Sequence, residues 1–174
     1  VPKSAGETKV EIPVTNVKPV TVAVLVHPDG TEEIIKNSVS TEDGIQLTVN
    51  GGATVKIVAN SKDFIDTREH WSRDQVNFVA ARELFQGVGD NQFGVGHPMT
   101  RGMVNTVLAR LAGVDTTSAA GQNWYDKGVA WARENGVSDG SNPNGNVTRE
   151  QLAARRYRYA GSPAVNGSLP FSDA

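Results

Sequence analysis

The chain has 174 residues, of which 38% are hydrophobic and 21% are charged, and it carries a formal net charge of −2. This length suits one ordinary domain or two small ones, and the near-neutral charge without a basic block argues against a nucleic-acid partner. The absence of cysteine excludes thiol catalysis, disulfide scaffolds and cysteine-based zinc sites, and no apolar run approaches the roughly 20 residues that span a bilayer.

Residues 1–62 have the composition of a small β module. Turn signals at 27–30 and 50–52 separate short segments that are rich in β-branched residues. The segments span residues 8–14, 20–26, 32–36, 45–49 and 54–58. They predict about five strands in a sandwich-like all-β module, which serves as a spacer or as the end of an upstream region. His27 lies in the first turn and is interpreted as a solvated turn histidine.

From residue 63 onward the apolar residues follow a helical period. Residues 71–86, 103–111 and 123–136 each place apolar side chains on one face. A glycine-rich loop and a Thr-Arg pair follow the first and the third of these segments. The pattern predicts two successive copies of a unit that consists of a helix, a loop and a capped helix, and both copies follow the β module. The chain is therefore predicted to be α+β as a whole.

The two Thr-Arg pairs begin closely similar segments. Residues 98–113 and 146–161 share Thr-Arg at their third and fourth positions, and the arginines are 149 − 101 = 48 residues apart. Thr148 and Gln151 have the spacing of a capping box, in which each side chain bonds the backbone amide of the other. Thr100 is predicted to cap its helix too, but Met103 lacks the oxygen that would return the bond, so half a box is expected.

Arg101 and Arg149 follow these threonines in the first helical turn. The helix dipole disfavours a cation there by up to about 1 kcal/mol, so another interaction is expected to favour arginine. The planar guanidinium suits carboxylates and phosphates, and free backbone amides at the same helix end would help to bind such a group. A salt bridge to a nearby Asp or Glu is the alternative interpretation.

Spaced motifs in residues 63–174 resemble the bacterial S-layer homology (SLH) repeat. The first set of matching residues is Phe64-Ile65-Asp66, His70-Trp71, Gly87, Phe93, Pro98 and Met99-Thr100-Arg101. The second set is Trp124, Asn135-Gly136-Val137, Gly140 and Val147-Thr148-Arg149, and Phe171-Ser172-Asp173 echoes the opening of the first. The resemblance implies SLH repeat 1 at 63–114, repeat 2 at 115–163 and the start of a truncated repeat 3 at 164–174.

Members of the SLH family usually carry three repeats that form a three-lobed, all-α helical bundle. Grooves between the lobes bind a secondary cell wall polysaccharide, often one that ends in a pyruvylated sugar. The resemblance implies that Arg101 and Arg149 contact the acidic sugar, and that Gly87 and Gly140 let the backbone approach the glycan. Because the third repeat stops after its first motif, the third lobe would come from further residues or from another copy of the chain.

The resemblance also marks two aspartates and two tryptophans. Asp66 and Asp173 match the family aspartate, which could orient the arginine, cap the first helix or touch the sugar. Trp71 and Trp124 match the family tryptophan. For both tryptophans we expect core packing rather than sugar stacking, because they fit an apolar stripe.

This chain departs from the Thr-Arg-Ala-Glu motif of the family, because neither copy has the glutamate. Arg155 and Arg156 fall where the first copy has Val107 and Leu108, inside the expected apolar stripe. Burying two unpaired guanidinium groups would cost several kcal/mol. We therefore expect these arginines to face a partner lobe, an acidic groove edge or solvent.

The resemblance implies a non-catalytic, extracellular segment that anchors a larger protein at the surface of a Gram-positive bacterium by binding an acidic secondary cell wall polysaccharide. No cofactor, metal site or catalytic residue is expected. The loop at 140–151 has some likeness to an EF-hand, but Gly140 and Gln151 occupy positions that need carboxylates. A self-associating module of a surface lattice, without glycan binding, is the alternative, whereas an enzyme fragment would need paired carboxylates in a cleft.

Overall fold

The computed structural model describes residues 1–159, without the side chains of residues 149, 150, 153, 156 and 157. Asp173 and the predicted start of a third repeat at 164–174 lie outside the described residues. The chain divides into two compact units, Val1–His97 and a second that begins at Pro98. This boundary falls inside the predicted repeat at 63–114, so the repeats remain a prediction from the sequence pattern.

Six strands form two small antiparallel sheets in the first unit. They are β1 (Glu7–Pro13), β2 (Thr21–Val26), β3 (Glu32–Ile34), β4 (Val39–Ser40), β5 (Gly44–Asn50) and β6 (Thr54–Ala59). One sheet has the order β1-β5-β4, and the other has the order β3-β2-β6. Each of the predicted segments overlaps a strand, and only the two-residue β4 lies outside them, because it is too short to show an alternating pattern.

The two sheets share one apolar core, as in the predicted sandwich. Ile45, Leu47 and Val49 alternate along β5 and pack with Ala23 of β2. The opposite face of β2 carries Val22 and Val24, since successive side chains of a strand point to opposite sides. This second face is also buried, so the middle strand of the β3-β2-β6 sheet is covered on both sides.

Helix α1 (Arg73–Ala81) covers that second face of β2, where Ala81 packs against Val22 and Val24. The helix is shorter than the predicted segment at 71–86. Glu83 has a φ of +57°, and this left-handed conformation ends the helix shortly after Ala81. A single 3-10 turn, Ile65–Thr67, precedes α1.

Arg82 links the end of α1 to the β module through side-chain hydrogen bonds. Its Nε donates to the carbonyl oxygen of Ser38 at 2.8 Å. Its Nη1 and Nη2 donate to the carbonyl oxygens of Pro19 and Thr21 at 3.1 and 3.3 Å. The guanidinium also lies 3.6 Å from the ring centroid of Phe78, a cation–π distance. The first helix of the helical region therefore belongs to the same compact unit as the β module.

The described part of the second unit is helical. Its helices are α2 (Arg101–Leu111), α3 (Asp126–Glu134) and α4 (Arg149–Tyr159). Val104 and Leu108 of α2 form a core with Ala132 of α3 and with Val137. The two helices approach closely at Gly128, where a Cβ atom would lie 2.6 Å from the Cα of Thr106. The chain is thus mixed α+β as predicted, while the three-lobed bundle stays a prediction.

Candidate functional site

Threonine side chains cap the helices that begin with the two Thr-Arg pairs. Thr148 Oγ1 accepts from the Gln151 amide, and the Thr148 amide donates to Gln151 Oε1, both at 3.4 Å. Thr100 Oγ1 accepts from the Met103 amide at 3.2 Å, and the Thr100 amide donates to Met103 Sδ at 3.4 Å. The expectation of half a box at Thr100 is therefore wrong, because a thioether sulfur is a weak acceptor and takes the place of the missing oxygen.

The first amides of α2 are not free. The Arg101 amide donates to Gly145 O and the Gly102 amide to Pro143 O, both at 2.8 Å. The loop before α4 therefore covers the start of α2, and Gly102 gives it room, since a Cβ atom there would lie 3.0 Å from Pro143 O. The expectation that free backbone amides help to bind an anion is wrong here, because loop carbonyl groups already accept from them.

Arg101 pairs with Asp139 in the loop after α3. Its Nη2 donates to Asp139 Oδ1 at 3.0 Å, so the salt bridge considered as the alternative is present. The pair is asymmetric in exposure, with 18% of the arginine side chain and 67% of the aspartate side chain accessible to solvent. The Arg101 Nε is buried and has no hydrogen-bond partner among the residues that the structure describes. The salt bridge therefore leaves part of the Arg101 guanidinium unsatisfied.

Three further arginines contact the same short segment, residues 137–139. Arg133 Nε donates to Asp139 O at 3.4 Å, Arg155 Nη2 to Ser138 Oγ at 3.3 Å, and Arg158 Nη1 to Val137 O at 3.5 Å. We call Arg101, Arg133, Arg155 and Arg158 the arginine cluster. Within residues 1–159, Asp139 is the carboxylate that pairs with a member of this cluster. The cluster thus places several cations around a single anion.

Electrostatics within the cluster shift the titration of its members. The backbone amide and the hydroxyl of Ser141, followed by the charges of Arg101 and Arg155, hold the pKa of Asp139 below its usual value. Burial, followed by repulsion from Arg101, lowers the pKa of Arg155. Arg155 is 4% exposed, so it does not face solvent. The negative charge of Asp139 acts on its guanidinium. Of the three environments expected from the sequence, this corresponds to the acidic edge. The side chains of Arg149 and Arg156 lie outside the described residues.

The two glycines predicted to approach the glycan have tight surroundings within the protein. Gly87 has a φ of +78°, and a Cβ atom there would lie 2.6 Å from Gln92 O and 2.9 Å from Phe64 Cε1. Gly140 has a φ of +76°, and its Cβ would lie 3.2 Å from Val129 Cγ1. The fold by itself therefore requires glycine at both positions, and the glycan role stays a prediction.

Asp66 organises a loop in the first unit. Its Oδ1 accepts from the Phe93 amide at 2.8 Å, and its Oδ2 accepts from the amides of Gly94 and Val95 at 2.9 and 3.0 Å. These hydrogen bonds hold the pKa of Asp66 below its usual value, and the bond from the Phe93 amide has the largest effect. Asp66 does not cap α1, whose N-cap residue is Ser72. The capping alternative is therefore wrong, and Asp66 instead fixes the chain at 93–95.

The two predicted tryptophans are not core residues. Trp71 is 83% exposed and Trp124 is 49% exposed. Trp71 precedes the first residue of α1, so it does not share the apolar face of that helix, and its ring lies 5.4 Å from that of His70. The expectation of core packing is wrong for both residues. Their exposed rings leave the alternative of stacking on a sugar open.

The structure divides the predicted site residues between the units. Asp66, Trp71 and Gly87 lie in the first unit, and Arg101, Trp124 and Gly140 lie in the second. Within the second unit, Arg101 contacts the loop that contains Gly140 through its hydrogen bond to Asp139.

Sequence reasoning missed Asp139, whose spacing to Ser141 signals only a local turn. The signal for Arg155 was its charge at a position where the first copy has valine.

Residues 1–159 contain no group of three or more His, Asp or Glu side chains that could hold a metal ion. The same part of the chain has no helix that is both long enough and apolar enough to cross a bilayer.

Comparison with known proteins identifies a family in this region. Residues 63–102 match the family model of the S-layer homology domain. The match runs from the 3-10 turn through α1 and the loop fixed by Asp66, and it reaches Arg101 at the start of α2. The chain therefore contains an S-layer homology domain, as the resemblance predicts.

Several curated proteins are similar to this chain. An amylopullulanase from Thermoanaerobacterium thermosulfurigenes is 27% identical over 108 residues, which cover 56% of this chain and 6% of that protein. The exoglucanase XynX from Acetivibrio thermocellus is 24% identical over 113 residues, with coverage of 59% and 10%. An endoglucanase from Bacillus sp. (strain KSM-635) is 29% identical over 115 residues, with coverage of 58% and 12%. The chain thus spans 6 to 12% of the length of these relatives. No solved structure matches it.

The S-layer homology domain is a non-catalytic module that attaches proteins to cell wall polymers. The domain places the chain outside the cell, attached to the cell surface or the cell wall. The predicted localisation is thereby confirmed.

Proposed function

We propose that this chain is a non-catalytic anchoring segment that binds an acidic secondary cell wall polysaccharide through the arginine cluster. The observation that carries the proposal is the state of Arg101. Its Nη2 is paired with Asp139, yet its buried Nε has no acceptor among the described residues. A buried charged donor without an acceptor destabilises the folded protein. Such a donor is expected where a bound ligand supplies the acceptor.

The charge of the cluster selects an acidic ligand. Four guanidinium groups surround the 137–139 segment, and Asp139 compensates only part of their charge. Carboxylates make short, charge-assisted hydrogen bonds with guanidinium groups, which are stronger than bonds between neutral partners. A pyruvate ketal or a uronic acid on a wall glycan carries such a carboxylate. The side chain of Asp139 is exposed, so the edge of the cluster is open to solvent, and this edge is where the polymer is proposed to bind.

Trp124 and Trp71 are proposed to contact sugar rings rather than to support the core. Both indoles are exposed, and an aromatic face offers a large apolar area to the C–H groups of a pyranose. Asp66 and Gly87 are proposed to act indirectly, by holding the loop between α1 and α2 in one shape. Arg149 is proposed as the equivalent of Arg101 on the basis of its sequence position alone.

Cosedimentation with purified Gram-positive cell walls tests this function. The chain should pellet with intact walls and stay in solution when acid has extracted the secondary polymer. Arg101→Gln should reduce the pelleted fraction, while Arg68→Gln should not, because Arg68 lies on the surface and pairs with Asp63. Failure of the wild-type chain to pellet with intact walls, or equal pelleting after extraction, would contradict the proposal.

A self-associating lattice module is the second candidate, and the exposure of Trp71 favours it. Tryptophan is enriched in the buried centres of interfaces between proteins, and the Trp71 ring is 83% exposed in the single chain. Light scattering across a concentration series would reveal association without wall material. Assembly that Trp71→Ser abolishes, together with no pelleting on walls, would support this candidate over polymer binding.

A further inference from the structure

Arg155 is a buried cation in the stripe of α4 that the first copy fills with an apolar residue. Its counterpart is Val107 of α2, because the two copies are 155 − 107 = 48 residues apart. Arg155 is nevertheless among the buried residues of the chain. Arginine is almost never fully buried unless it is paired. The position therefore calls for an explanation beyond packing.

The hydrogen bonds of Arg155 are incomplete. Its Nη2 donates to Ser138 Oγ at 3.3 Å. Its Nε and Nη1 are buried and have no hydrogen-bond partner within the described part of the chain. A guanidinium has five N–H donors and no acceptor, so a single hydroxyl leaves most of its capacity unused.

Asp139 makes no hydrogen bond to Arg155 within the described part of the chain, where Arg155 donates to Ser138 instead. Asp139 Oδ1 already accepts from Arg101 Nη2 at 3.0 Å and from the amide and hydroxyl of Ser141 at 3.0 and 2.8 Å. Arg101 and Arg155 together carry two positive charges and Asp139 carries one negative charge. This group of three side chains therefore keeps one net positive charge and several free donors, which matches a monovalent oxyanion.

We propose that Arg155 and Arg101 together bind the carboxylate of an acidic sugar, and that Arg155 is the residue that makes the site specific for a charged glycan. The inference rests on the proposed function and names a further residue of its site. The guanidinium groups, not the helix start, are the donors, because loop carbonyls already occupy the first amides of α2. In this assignment the ligand supplies the acceptors that Nε and Nη1 of Arg155 lack.

The assignment makes a distinctive prediction for Arg155→Val, which installs the residue of the first copy. Without ligand the variant should melt at a higher temperature than the wild type, because an unpaired buried cation is removed from an apolar stripe. Its affinity for the acidic glycan should fall by about tenfold or more, as for loss of a charge-assisted bond. A residue that only supports the fold through Ser138 would give the opposite pattern, with lower stability and unchanged binding.

The experiment uses the full chain and two methyl glycosides with different carboxylates, a pyruvate-ketal hexoside and a glucuronide. Calorimetry measures the affinity, and ¹⁵N-edited NMR follows the arginine Nε–H signals, assigned with Arg155→Lys and Arg101→Lys. At least one glycoside should bind and shift the Arg155 and Arg101 signals together. The methyl ester of that glycoside should not bind, and Arg68→Gln should bind like the wild type. The glycoside that binds identifies the source of the carboxylate.

The outcomes separate this inference from the proposed function. Wall pelleting by the wild type with unchanged glycoside affinity in Arg155→Val would overturn the role of Arg155 and leave polymer binding intact. No wall pelleting, with both arginine signals shifted by a glycoside, would reject the wall function and keep the carboxylate site. If Arg155→Val fails to fold, the wild-type signals decide, and an Arg155 Nε–H that no glycoside shifts would overturn the inference.

Discussion

Arg82 and Ser38 join distant parts of the first unit through a buried hydrogen bond from Arg82 Nε to the Ser38 carbonyl oxygen at 2.8 Å. Ser38 lies between β3 and β4, whereas Arg82 directly follows α1. Burial lowers the pKa of Arg82 to about 10, so the side chain is still charged at neutral pH. The contact explains why α1 packs as part of the β module and not as part of a separate helical repeat.

Arg82→Met should destabilise the chain by on the order of 3 kcal/mol, because several buried carbonyl groups lose their donor at once. Urea unfolding followed by far-ultraviolet circular dichroism would measure the loss. Arg68→Met is the matched control, since its exposed pair with Asp63 is expected to contribute between about 0 and 1 kcal/mol. Equal unfolding midpoints for the two variants would show that Arg82 does not hold the unit together.

Asp66→Asn should destabilise the chain at neutral pH and lose this effect in acid. The amide nitrogen of Asn would face backbone N–H groups that now donate hydrogen bonds to the carboxylate. Because folding lowers the pKa of Asp66, its contribution to stability is complete above the ordinary value of 3.8 and is lost as the pH falls through the lower folded value. Melting temperatures of variant and wild type should therefore converge between neutral and strongly acidic pH. Asp90→Asn, at an exposed position of the same loop, is the control, and a constant difference for Asp66→Asn would contradict the role of its charge.

Thr100→Ala should cost about 1 kcal/mol of stability, as for loss of an N-cap. Thr100→Ser keeps the hydroxyl and should retain most of the stability. Met103→Leu should cost less than Thr100→Ala, because it removes only the weak bond from the Thr100 amide to the sulfur. Chemical denaturation of the three variants gives this order, and a Thr100→Ala curve that matches the wild type would mean that the cap does not stabilise α2.

Gly128→Ala should destabilise the second unit by about 1–3 kcal/mol, because the new Cβ would overlap Thr106 across the α2–α3 contact. Intrinsic helix propensity predicts the opposite, since alanine is favoured over glycine in a helix by about 1 kcal/mol. Ala130→Gly, at an exposed position of the same helix, should follow propensity and also destabilise. A stabilising Gly128→Ala substitution, measured by thermal unfolding, would show that the two helices are free to move apart.

The sequence by itself determined the local features of this protein. Strands β1, β2, β5 and β6 follow from β-branched segments bounded by turns, because these signals act over a few residues. The cap at Thr148 follows from a spacing of three residues to Gln151. The ordered motifs between Phe64 and Arg101 were sufficient to indicate an S-layer homology domain.

Only the tertiary structure decided which of these features meet. The pairing of Arg101 with Asp139 spans 38 residues, and that of Arg82 with Ser38 spans 44, so neither has a local signal. Periodicity placed Trp71 on an apolar stripe, but α1 begins two residues later and leaves the ring exposed. Arg155 was recognised as out of pattern, whereas its burial beside Asp139 depends on how α4 packs against the loop after α3. Packing brings charges together across the chain, and the resulting balance of cations and anions is what defines the candidate site.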